Sequence, residues 1–393
     1  AGTLYAVCLS ACDAKEPLSE NRDAEIESPV IANDLSNQKV TAIAEDTQGH
    51  IWIGTFRGLN KNNVHDYHQY FCTDDSLGLP DNQITHLLRD SKNRFWVGTV
   101  NGVCLYTDKD NFRIIPIEAD NKNVRQILED RNGRIFLNTG FQLYAYHPRE
   151  EKITCVLPEI SPGNAFYAQC HIAPDNNLWV MTSTGLRCYD LSTLQLKESV
   201  ALNGYPYYSY LHNNELWITG NHTLSIFDTR TRSFKPLPQP IAQNTTLCNA
   251  DIDYIHPYGN NGLLLNTARH GMFYYNPGTG SVTRQDENGF PFEMPRFRIS
   301  RMFTDSQQNL WIGSVDQGYT VCYHYKERFN NDNYLRSELN NKSVVSLSAG
   351  KDHKLWISTL MDGIYVYDTK SSEIRHIDPE TFCEQEKQKA IYA

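Results

Sequence analysis

The sequence lacks several features that would place it in a familiar functional class. It has no uninterrupted apolar stretch near the ~20 residues that a membrane-spanning helix needs. It has no run of basic residues, and its 36 basic side chains are outnumbered by 46 acidic ones, which gives a formal net charge of −10. Because neutralising phosphates requires clustered cations, this balance predicts that nucleic acid is not a partner. Apolar periodicity of 3.6 residues is also missing, so the sequence predicts no helix.

Catalytic and metal-binding signatures are missing as well. No two of the ten cysteines have CxxC spacing, and no His/Cys cluster has zinc-finger spacing, so we predict no metal and no cofactor. GxSxG and HExxH motifs do not occur. Cys104, Cys170, Cys188 and Cys322 lie among apolar and aromatic residues, which predicts buried strand thiols that act as small hydrophobic side chains.

What the sequence does contain is an internal repeat. Residues 40–46 (VTAIAED) are followed by Gly49, by HIWIGT around Trp52, and by Gly58 and Leu59. The same order returns at roughly 38–48-residue intervals, which is the period of four-stranded propeller blades. About eight copies are present, and they are centred on Trp52, Trp96, Phe136, Trp179, Trp217, Leu264, Trp311 and Trp356.

Each copy predicts four antiparallel strands. The alternating segment VTAIAED indicates a strand with one buried face. The Asp-x-x-Gly that follows indicates a tight turn, because Asp can bond its own backbone two residues on and Gly supplies a positive φ. The Trp strand, a Gly-containing loop and two further strands complete the unit. We expect the Trp side chains to fill the space between adjacent blades and not to bind a ligand.

The predicted fold is therefore an all-β propeller of four-stranded antiparallel blades, because closing a ring of such sheets removes exposed strand edges. Seven blades with an extra repeat unit is the favoured count, and eight blades is the alternative. The predicted domains are an export-signal remnant and flexible tether at 1–34, the propeller at 35–332, the eighth repeat unit at 333–378 and a C-terminal tail at 379–393. The eighth unit is then the first blade of a second propeller or the last blade of an eight-bladed ring.

The repeat resembles the two-component regulator propeller repeat, with the pattern V-x-x-I-x-x-D-x-x-G-x-I/L-W-I-G-T-x-x-G-L. Residues 40–59 match nearly every position and residues 84–103 match closely, whereas the middle copies are looser, since Phe136 and Leu264 replace Trp. The resemblance implies a periplasmic sensor region of a hybrid two-component system regulator, followed in such proteins by a second propeller, a membrane helix and a histidine kinase. This chain holds about one propeller's worth of repeats and none of those later parts.

The first residues suggest export to the periplasm. Residues 9–12 (LSAC) resemble a bacterial lipobox, in which the cysteine is acylated after signal cleavage. We therefore predict Cys12 as a candidate lipidation site. A membrane tether would come through Cys12 or through a transmembrane segment missing from this chain.

The candidate ligand site is the central funnel of the propeller. The inner strand of each blade is its first strand in sequence. It begins at the face that carries the loops between the second and third strands, so residues of every blade converge there. Aromatic rings can stack on sugar faces while Arg, Asn, Asp and His bond hydroxyls, and Arg57, Arg269 and Arg298 would also suit an acidic sugar. The predicted ligand-binding residues are Arg57, Asn101, Tyr207, Tyr208, His222, Arg269, His270, Arg298, Asp316 and Asp362.

Three functions remain open from the sequence. The favoured one is a non-catalytic sensor that binds an oligosaccharide or another small polar ligand and signals through neighbouring sensor domains or a second protomer. A propeller polysaccharide lyase or glycosidase is the second, since His222, His270, Asp251 and Asp316 could be assembled for such chemistry. A protein-interaction scaffold is the third.

Overall fold

The computed structural model describes residues 35–62, 67–73, 77–107, 110–161, 168–202, 204–259, 261–294, 297–323, 338–339, 342–371 and 373–378. The predicted export segment with Cys12 and the C-terminal tail lie outside these residues. By its internal contacts the chain divides into two compact units, residues 1–324 and 325–393. Within the described part, no helix has both the length and the apolar character needed to cross a bilayer.

Eight antiparallel sheets follow one another along the chain, one for each repeat, which confirms the predicted all-β propeller fold. Sheets 1–7 lie in the first unit and sheet 8 in the second. The strands of sheets 1–4 are β1 (Val40–Glu45), β2 (Ile51–Thr55), β3 (Gly58–Asn62), β4 (Tyr67–Tyr70); β5 (Ile84–Arg89), β6 (Phe95–Thr99), β7 (Gly102–Tyr106), β8 (Phe112–Ile115); β9 (Gln126–Glu129), β10 (Ile135–Asn138), β11 (Leu143–His147), β12 (Lys152–Leu157); β13 (Gln169–Ile172), β14 (Asn177–Thr182), β15 (Gly185–Asp190) and β16 (Leu196–Ala201). Those of sheets 5–8 are β17 (Pro206–His212), β18 (Glu215–Gly220), β19 (Thr223–Asp228), β20 (Ser233–Lys235); β21 (Ile252–Tyr258), β22 (Gly262–Thr267), β23 (Gly271–Asn276), β24 (Ser281–Arg284); β25 (Ile299–Thr304), β26 (Leu310–Ser314), β27 (Tyr319–Cys322); and β28 (Val344–Ala349), β29 (Lys354–Thr359), β30 (Ile364–Asp368), β31 (Ile374–Ile377).

The Asp of each well-matched repeat organises both its turn and its tryptophan. Oδ1 of Asp46 accepts hydrogen bonds from the backbone N–H groups of Gln48 and His50 at 2.9 and 3.0 Å, and Oδ2 accepts one from Trp52 Nε1 at 2.9 Å. Asp90 and Asp305 hold their tryptophans in the same way, with Nε1 to Oδ2 distances of 2.8 and 2.9 Å. The motif therefore provides a buried indole with a partner for its only polar atom.

Two tryptophans of the first unit lack this partner because their repeats lack the Asp. Ala173 and His212 occupy the corresponding positions in sheets 4 and 5. The Nε1 atoms of Trp179 and Trp217 are buried there without a hydrogen-bond partner. The indoles keep their packing role and lose only the polar contact.

Apolar clusters fill the interfaces between neighbouring sheets of the first unit. Trp52, for example, packs in one cluster with Leu87 and Phe95 of sheet 2, and Trp96 packs with Ile127 of sheet 3. Sheet 7 packs in turn on sheet 1, where Trp311 and Tyr319 join Val40 and its neighbours. The first unit is thus closed on itself, and the wedge role predicted for its tryptophans is confirmed at all five positions, each of which is buried.

The glycine of the repeated Trp-x-Gly segment allows neighbouring sheets to approach closely. A Cβ built on Gly54 would lie 2.5 Å from Ile84 Cγ2 of the next inner strand, and one on Gly313 would lie 2.6 Å from Val40 Cγ1. Neither glycine has a positive φ. The requirement is therefore one of space, which no larger side chain meets without moving the next sheet.

Three sequence predictions need correction. Two four-residue helices, α1 (Gln239–Ala242) and α2 (Thr245–Cys248), connect sheets 5 and 6, although the sequence predicted none. They are too short to show a helical period, and Ile241 and Leu247 anchor them to the core. Cys322 is only half-buried, unlike the other three strand thiols. Trp356 is 38% exposed, because sheet 8 has no second sheet to cover that face among the described residues of its unit.

Candidate functional site

One face of the first unit brings together the starts of the inner strands and the loops between second and third strands, as the sequence predicted. We call it the loop face. Backbone hydrogen bonds join the two parts: Phe56 N to Lys39 O at 3.0 Å, and Ala268 N to Asp251 O at 2.9 Å. Val315 N donates to Arg298 O in the same way at 3.0 Å. Loop residues are therefore fixed beside the beginning of their own inner strand.

The predicted ligand-binding residues fall into three groups. Tyr207 and Tyr208 line a central cavity of about 680 Å³ in the first unit. Asp362 lies in the second unit, where its carboxylate accepts hydrogen bonds from Lys342 and Tyr365, and the Lys342 bond holds its pKa below the usual range. The other seven lie on the loop face, outside the residues that line the cavity: Arg57, Asn101, His222, Arg269, His270, Arg298 and Asp316. Tyr167, another candidate at the start of an inner strand, lies outside the described residues.

Aromatic rings and carboxylates meet at Tyr207, which lines the cavity and lies near the carboxylates of Asp251 and Asp253. Tyr207 is 36% exposed, and Tyr205, two residues earlier in the sequence, is 71% exposed. Burial, together with the charges of Asp251 and Asp253, raises the pKa of Tyr207 to about 12. The pKa of Asp253 is raised by desolvation, although Asn266 Nδ2 donates to its carboxylate at 2.6 Å and Arg298 stabilises its charge. These residues can offer aromatic stacking surfaces together with hydrogen-bond donors and acceptors.

His222 is oriented by the start of the sixth inner strand. Its Nδ1 lies 2.9 Å from the carbonyl oxygen of Asn249 and 3.4 Å from Asp251 Oδ1, and its backbone N–H donates to the same carboxylate at 3.0 Å. Since a carbonyl oxygen only accepts, Nδ1 carries the proton. In the neutral ring, Nε2 is therefore a lone-pair acceptor on an exposed side chain.

Three histidines line the wall of the cavity, and none was predicted as a site residue. His171 Nε2 lies 2.8 Å from Ser209 Oγ, whose own proton goes to Gln169 Oε1 at 3.0 Å, so His171 donates. His256 Nε2 lies 2.9 Å from Thr304 Oγ1. His86 Nδ1 accepts from the backbone N–H of Ile127 at 3.4 Å. Burial lowers the pKa of His86 and His171 to about 4 and that of His256 to about 3, so all three are neutral near pH 7.

Polar side chains on the inner strands bond across to the next inner strand. Gln126 Oε1 accepts from Cys170 N at 2.9 Å, and Gln169 Oε1 accepts from Ser209 N at 2.7 Å. Tyr208 donates from its hydroxyl to Ile255 O at 3.3 Å. These contacts satisfy backbone groups that face the cavity, where the strands diverge and no ladder pairing is available. They also hold the wall residues in fixed positions.

A sequence signal for this wall existed in the looser middle repeats. Sheets 1, 2 and 7 have glycine two residues after the Trp, whereas sheets 3–6 have Asn138, Met181, Thr219 and Asn266 there. The cavity is lined mainly by sheets 3–6, and Met181 itself lines it. Where the close-approach glycine is replaced, neighbouring inner strands can stand further apart. The departures from the repeat therefore mark the cavity side of the ring.

Within the described residues, no three His, Cys, Asp or Glu side chains lie close enough together to hold a metal ion.

The sequence carries recognisable family repeats. The family model described as "two component regulator propeller" matches residues 34–57 and 78–101, which are the first two copies of the repeat. The resemblance predicted from the motif is therefore confirmed for these copies. No curated protein sequence matches the chain.

Solved structures with the same fold include the extracellular domain of a two-component system and an enzyme. The extracellular domain of a hybrid two-component system from B. thetaiotaomicron is 20% identical, with a TM-score of 0.61 over 88% of this chain. This chain spans 48% of that domain's length. Virginiamycin B lyase from Staphylococcus aureus is 14% identical, with a TM-score of 0.55 over 72% of this chain and 94% of the lyase. The WD40 β-propeller domain of Doa1 is 10% identical, with a TM-score of 0.54 over 75% of this chain and 95% of that domain. At these identities the similarity establishes the propeller fold.

Proposed function

We propose that the first unit is a periplasmic ligand-sensing propeller of a hybrid two-component regulator. It binds an oligosaccharide or another small polar ligand and passes the signal to a histidine kinase outside this chain. The observation that carries the proposal is the cavity of about 680 Å³, which is lined by Tyr207, Tyr208 and polar side chains of the inner strands. Its volume falls in the about 300–1,000 Å³ range typical of small-molecule sites.

The family repeats and the B. thetaiotaomicron neighbour support the sensing role. Extracellular location of that neighbour, together with the lipobox-like start of this sequence, supports the periplasm. Signalling requires that the ligand contact two states of the protein differently. We therefore assign the output to neighbouring sensor domains or to a second protomer, with Cys12 acylation or a membrane segment outside this chain as the tether.

Thermal unfolding in the presence of a glycan panel tests the proposal. A ligand that binds only the folded state stabilises it, by about 2.7 kcal/mol when present at 100 times its Kd. We expect at least one oligosaccharide to raise the Tm, and Tyr207→Ala to weaken its binding by about tenfold, because the loss of one stacked ring costs on the order of 1 kcal/mol. Phe234→Ala, which removes an exposed ring from the outermost strand of sheet 5, serves as the matched control.

The contrary outcome is defined by the same experiment. If no glycan shifts the Tm and an affinity purification recovers a protein bound to the loop face, the chain is an interaction scaffold and the sensing proposal is wrong.

A lyase or glycosidase is the second candidate, and the geometry of His222 favours keeping it. An imidazole held by Asn249 and Asp251 with its Nε2 exposed is suitable as a general base. Incubation with polysaccharides, followed by chromatography of the products, tests this function. Products that disappear in His222→Ala or His270→Ala would establish the enzyme. Products formed equally by these variants would exclude both histidines.

A further inference from the structure

One positively charged side chain in the cavity wall, that of Arg301, does not make the cross-strand hydrogen bonds that its neighbours make. Arg301, the third residue of β25, lines the cavity and is exposed to it. Other polar side chains of the inner strands bond across to the next strand. The guanidinium of Arg301 instead donates to the carbonyl oxygen of the preceding residue, Ser300, at 2.7 Å. Among the described residues, no Asp or Glu forms an ion pair with it.

Arg301 lines the same cavity as His86 of sheet 2 and Tyr208 of sheet 5. Burial is the main cause of the lowered pKa of His86, and the positive charge of Arg301 lowers it further. The same charge opposes the rise in the pKa of Tyr208 that burial causes. Sheet 1, which separates sheets 7 and 2, carries Ala42 and Ala44 on its inner strand and contributes no side chain to the cavity wall.

The other two charged side chains that line the cavity, those of Arg125 and Glu129, leave the wall with a net positive charge. Arg125 lines the same cavity near the loop face. Glu129 is the one carboxylate among the lining residues, and it already accepts hydrogen bonds from Ser91 N at 2.8 Å and Ser91 Oγ at 2.5 Å. The three wall histidines are neutral, and His86, whose Nδ1 accepts a hydrogen bond, carries its N–H donor on Nε2. A chain with a net charge of −10 thus keeps a local positive site inside its ring.

We infer that the ligand of this cavity carries a carboxylate, which binds the guanidinium of Arg301 with His86 beside it as a neutral hydrogen-bonding group. This inference rests on the proposed function and specifies its ligand class: an acidic oligosaccharide, or a small organic acid with the same group. A guanidinium matches a carboxylate with two parallel hydrogen bonds. A cleft focuses the field of a charge on its wall and raises the local concentration of anions. The site differs from Arg57, Arg269 and Arg298, which the sequence suggested for an acidic sugar and which lie on the loop face.

Matched pairs of ligands test the carboxylate directly. Di- and trisaccharides of galacturonic, glucuronic and mannuronic acid are compared by calorimetry with their uncharged methyl esters, and acetate is titrated as the bare carboxylate. We expect at least one acid to bind at least tenfold more tightly than its ester, and the difference to shrink as NaCl is raised from 50 to 500 mM. Millimolar acetate that displaces the acid would point to a small organic acid as the natural ligand, and acetate without effect would point to an acidic sugar.

Variants locate the site. Arg301→Gln should abolish the preference for the acid, and Arg301→Lys should retain part of it, since the charge remains and the paired hydrogen bonds are lost. Arg131→Gln removes an exposed arginine from the turn between β9 and β10 and should leave both affinities unchanged. Circular dichroism and the urea midpoint confirm that each variant is folded.

The outcomes distinguish failure of the carboxylate site from failure of the ligand-binding function. Esters that bind as tightly as acids, or an Arg301→Gln variant that keeps the preference, would overturn the carboxylate site while the ligand-binding function stands. Absence of binding by every acid and every ester, together with no response to the neutral glycan panel, would overturn both.

Discussion

Glu45 closes the ring of the first unit by binding Ser306, a residue 261 positions away in sequence. Its carboxylate accepts hydrogen bonds from Ser306 N at 2.8 Å and Ser306 Oγ at 2.6 Å. Glu129 binds Ser91 with the same atoms, but those two residues belong to consecutive sheets. The same local contact thus serves as an ordinary joint between sheets 2 and 3 and as the closing contact between sheets 7 and 1.

Loss of the closing contact should destabilise the first unit. We expect Glu45→Ala to lower the free energy of unfolding by about 1–3 kcal/mol, because it removes two hydrogen bonds to a buried charged group and leaves Ser306 N without its partner. Urea denaturation measures the loss, and hydrogen exchange should show faster opening of β1 and β25. Ser306→Ala in the Glu45→Ala background should add little; fully additive losses would show that the two residues do not act together.

Restoring the missing Asp of the fourth repeat should stabilise the protein. Ala173 N bonds Asn177 O at 2.9 Å, as Asp46 N bonds His50 O at 3.0 Å, so the turn already has the geometry of the Asp-containing copies. We expect Ala173→Asp to raise the free energy of unfolding by about 1 kcal/mol, by giving Trp179 Nε1 an acceptor. The gain should fall in a Trp179→Phe background; an equal gain there would assign the effect to the turn alone.

A methyl group at the close-approach glycine should separate two sheets. We expect Gly54→Ala to cost about 1–3 kcal/mol, because its Cβ would overlap Ile84. Gly98→Ala should cost less, since its nearest contact, Val124 Cγ1, lies at 3.0 Å. Thermal unfolding of both variants checks the order, and Ile84→Ala should partly rescue Gly54→Ala. Equal losses at both glycines would contradict the steric explanation.

The cavity histidines should make stability fall on acidification. Their pKa values of about 3 to 4 lie below the ordinary value of about 6.5, so between these pH values the unfolded chain binds more protons than the folded one. The stability that they contribute is therefore complete above pH 6.5 and is lost as the pH falls towards 4. Each histidine can add up to about 1.4 kcal/mol per pH unit to the slope, and less where cavity water screens the charge.

Urea midpoints measured between pH 7 and 4 test this slope. His256→Gln should reduce it by up to one proton equivalent. Thr304→Val removes the hydrogen-bond partner of His256 but keeps the imidazole, so it should lower stability while preserving the slope. A flat profile for the unaltered protein would show that the wall histidines are hydrated in the folded state.

Depressed carboxyl pKa values should extend the loss to lower pH. The Lys197 hydrogen bond lowers the pKa of Asp190 to about 2, and the backbone N–H of Thr231 together with Lys235 lowers that of Asp228 to about 2. These groups stabilise the fold above their ordinary pKa near 4, and the effect is lost as the pH falls through about 2. Asp190→Asn should flatten the profile only below pH 4, which distinguishes its contribution from that of the histidines.

The sequence alone was sufficient for the parts of the fold that repeat. Each copy predicts its own strands and its wedge residue, and the well-matched copies also predict their Asp turn, because these features depend on contacts within one sheet or with the next one. The loops of the loop face were also predictable, since their place follows from hairpin connectivity. The two short helices were missed because four residues cannot display a period, and the exposure of Trp356 depends on whether a further sheet covers it.

The binding surface was only partly predictable for the same physical reason. Tyr207 and Tyr208 could be named because they stand at the start of an inner strand. His86, His171, His256 and Arg301 could not, because their importance arises only where inner strands from distant parts of the chain meet at the axis. Local sequence determined that each sheet would form and how it would pack on its neighbour. Closure of the ring, through contacts such as Glu45 with Ser306, decided which side chains face one another across the cavity, since no short segment contains both partners.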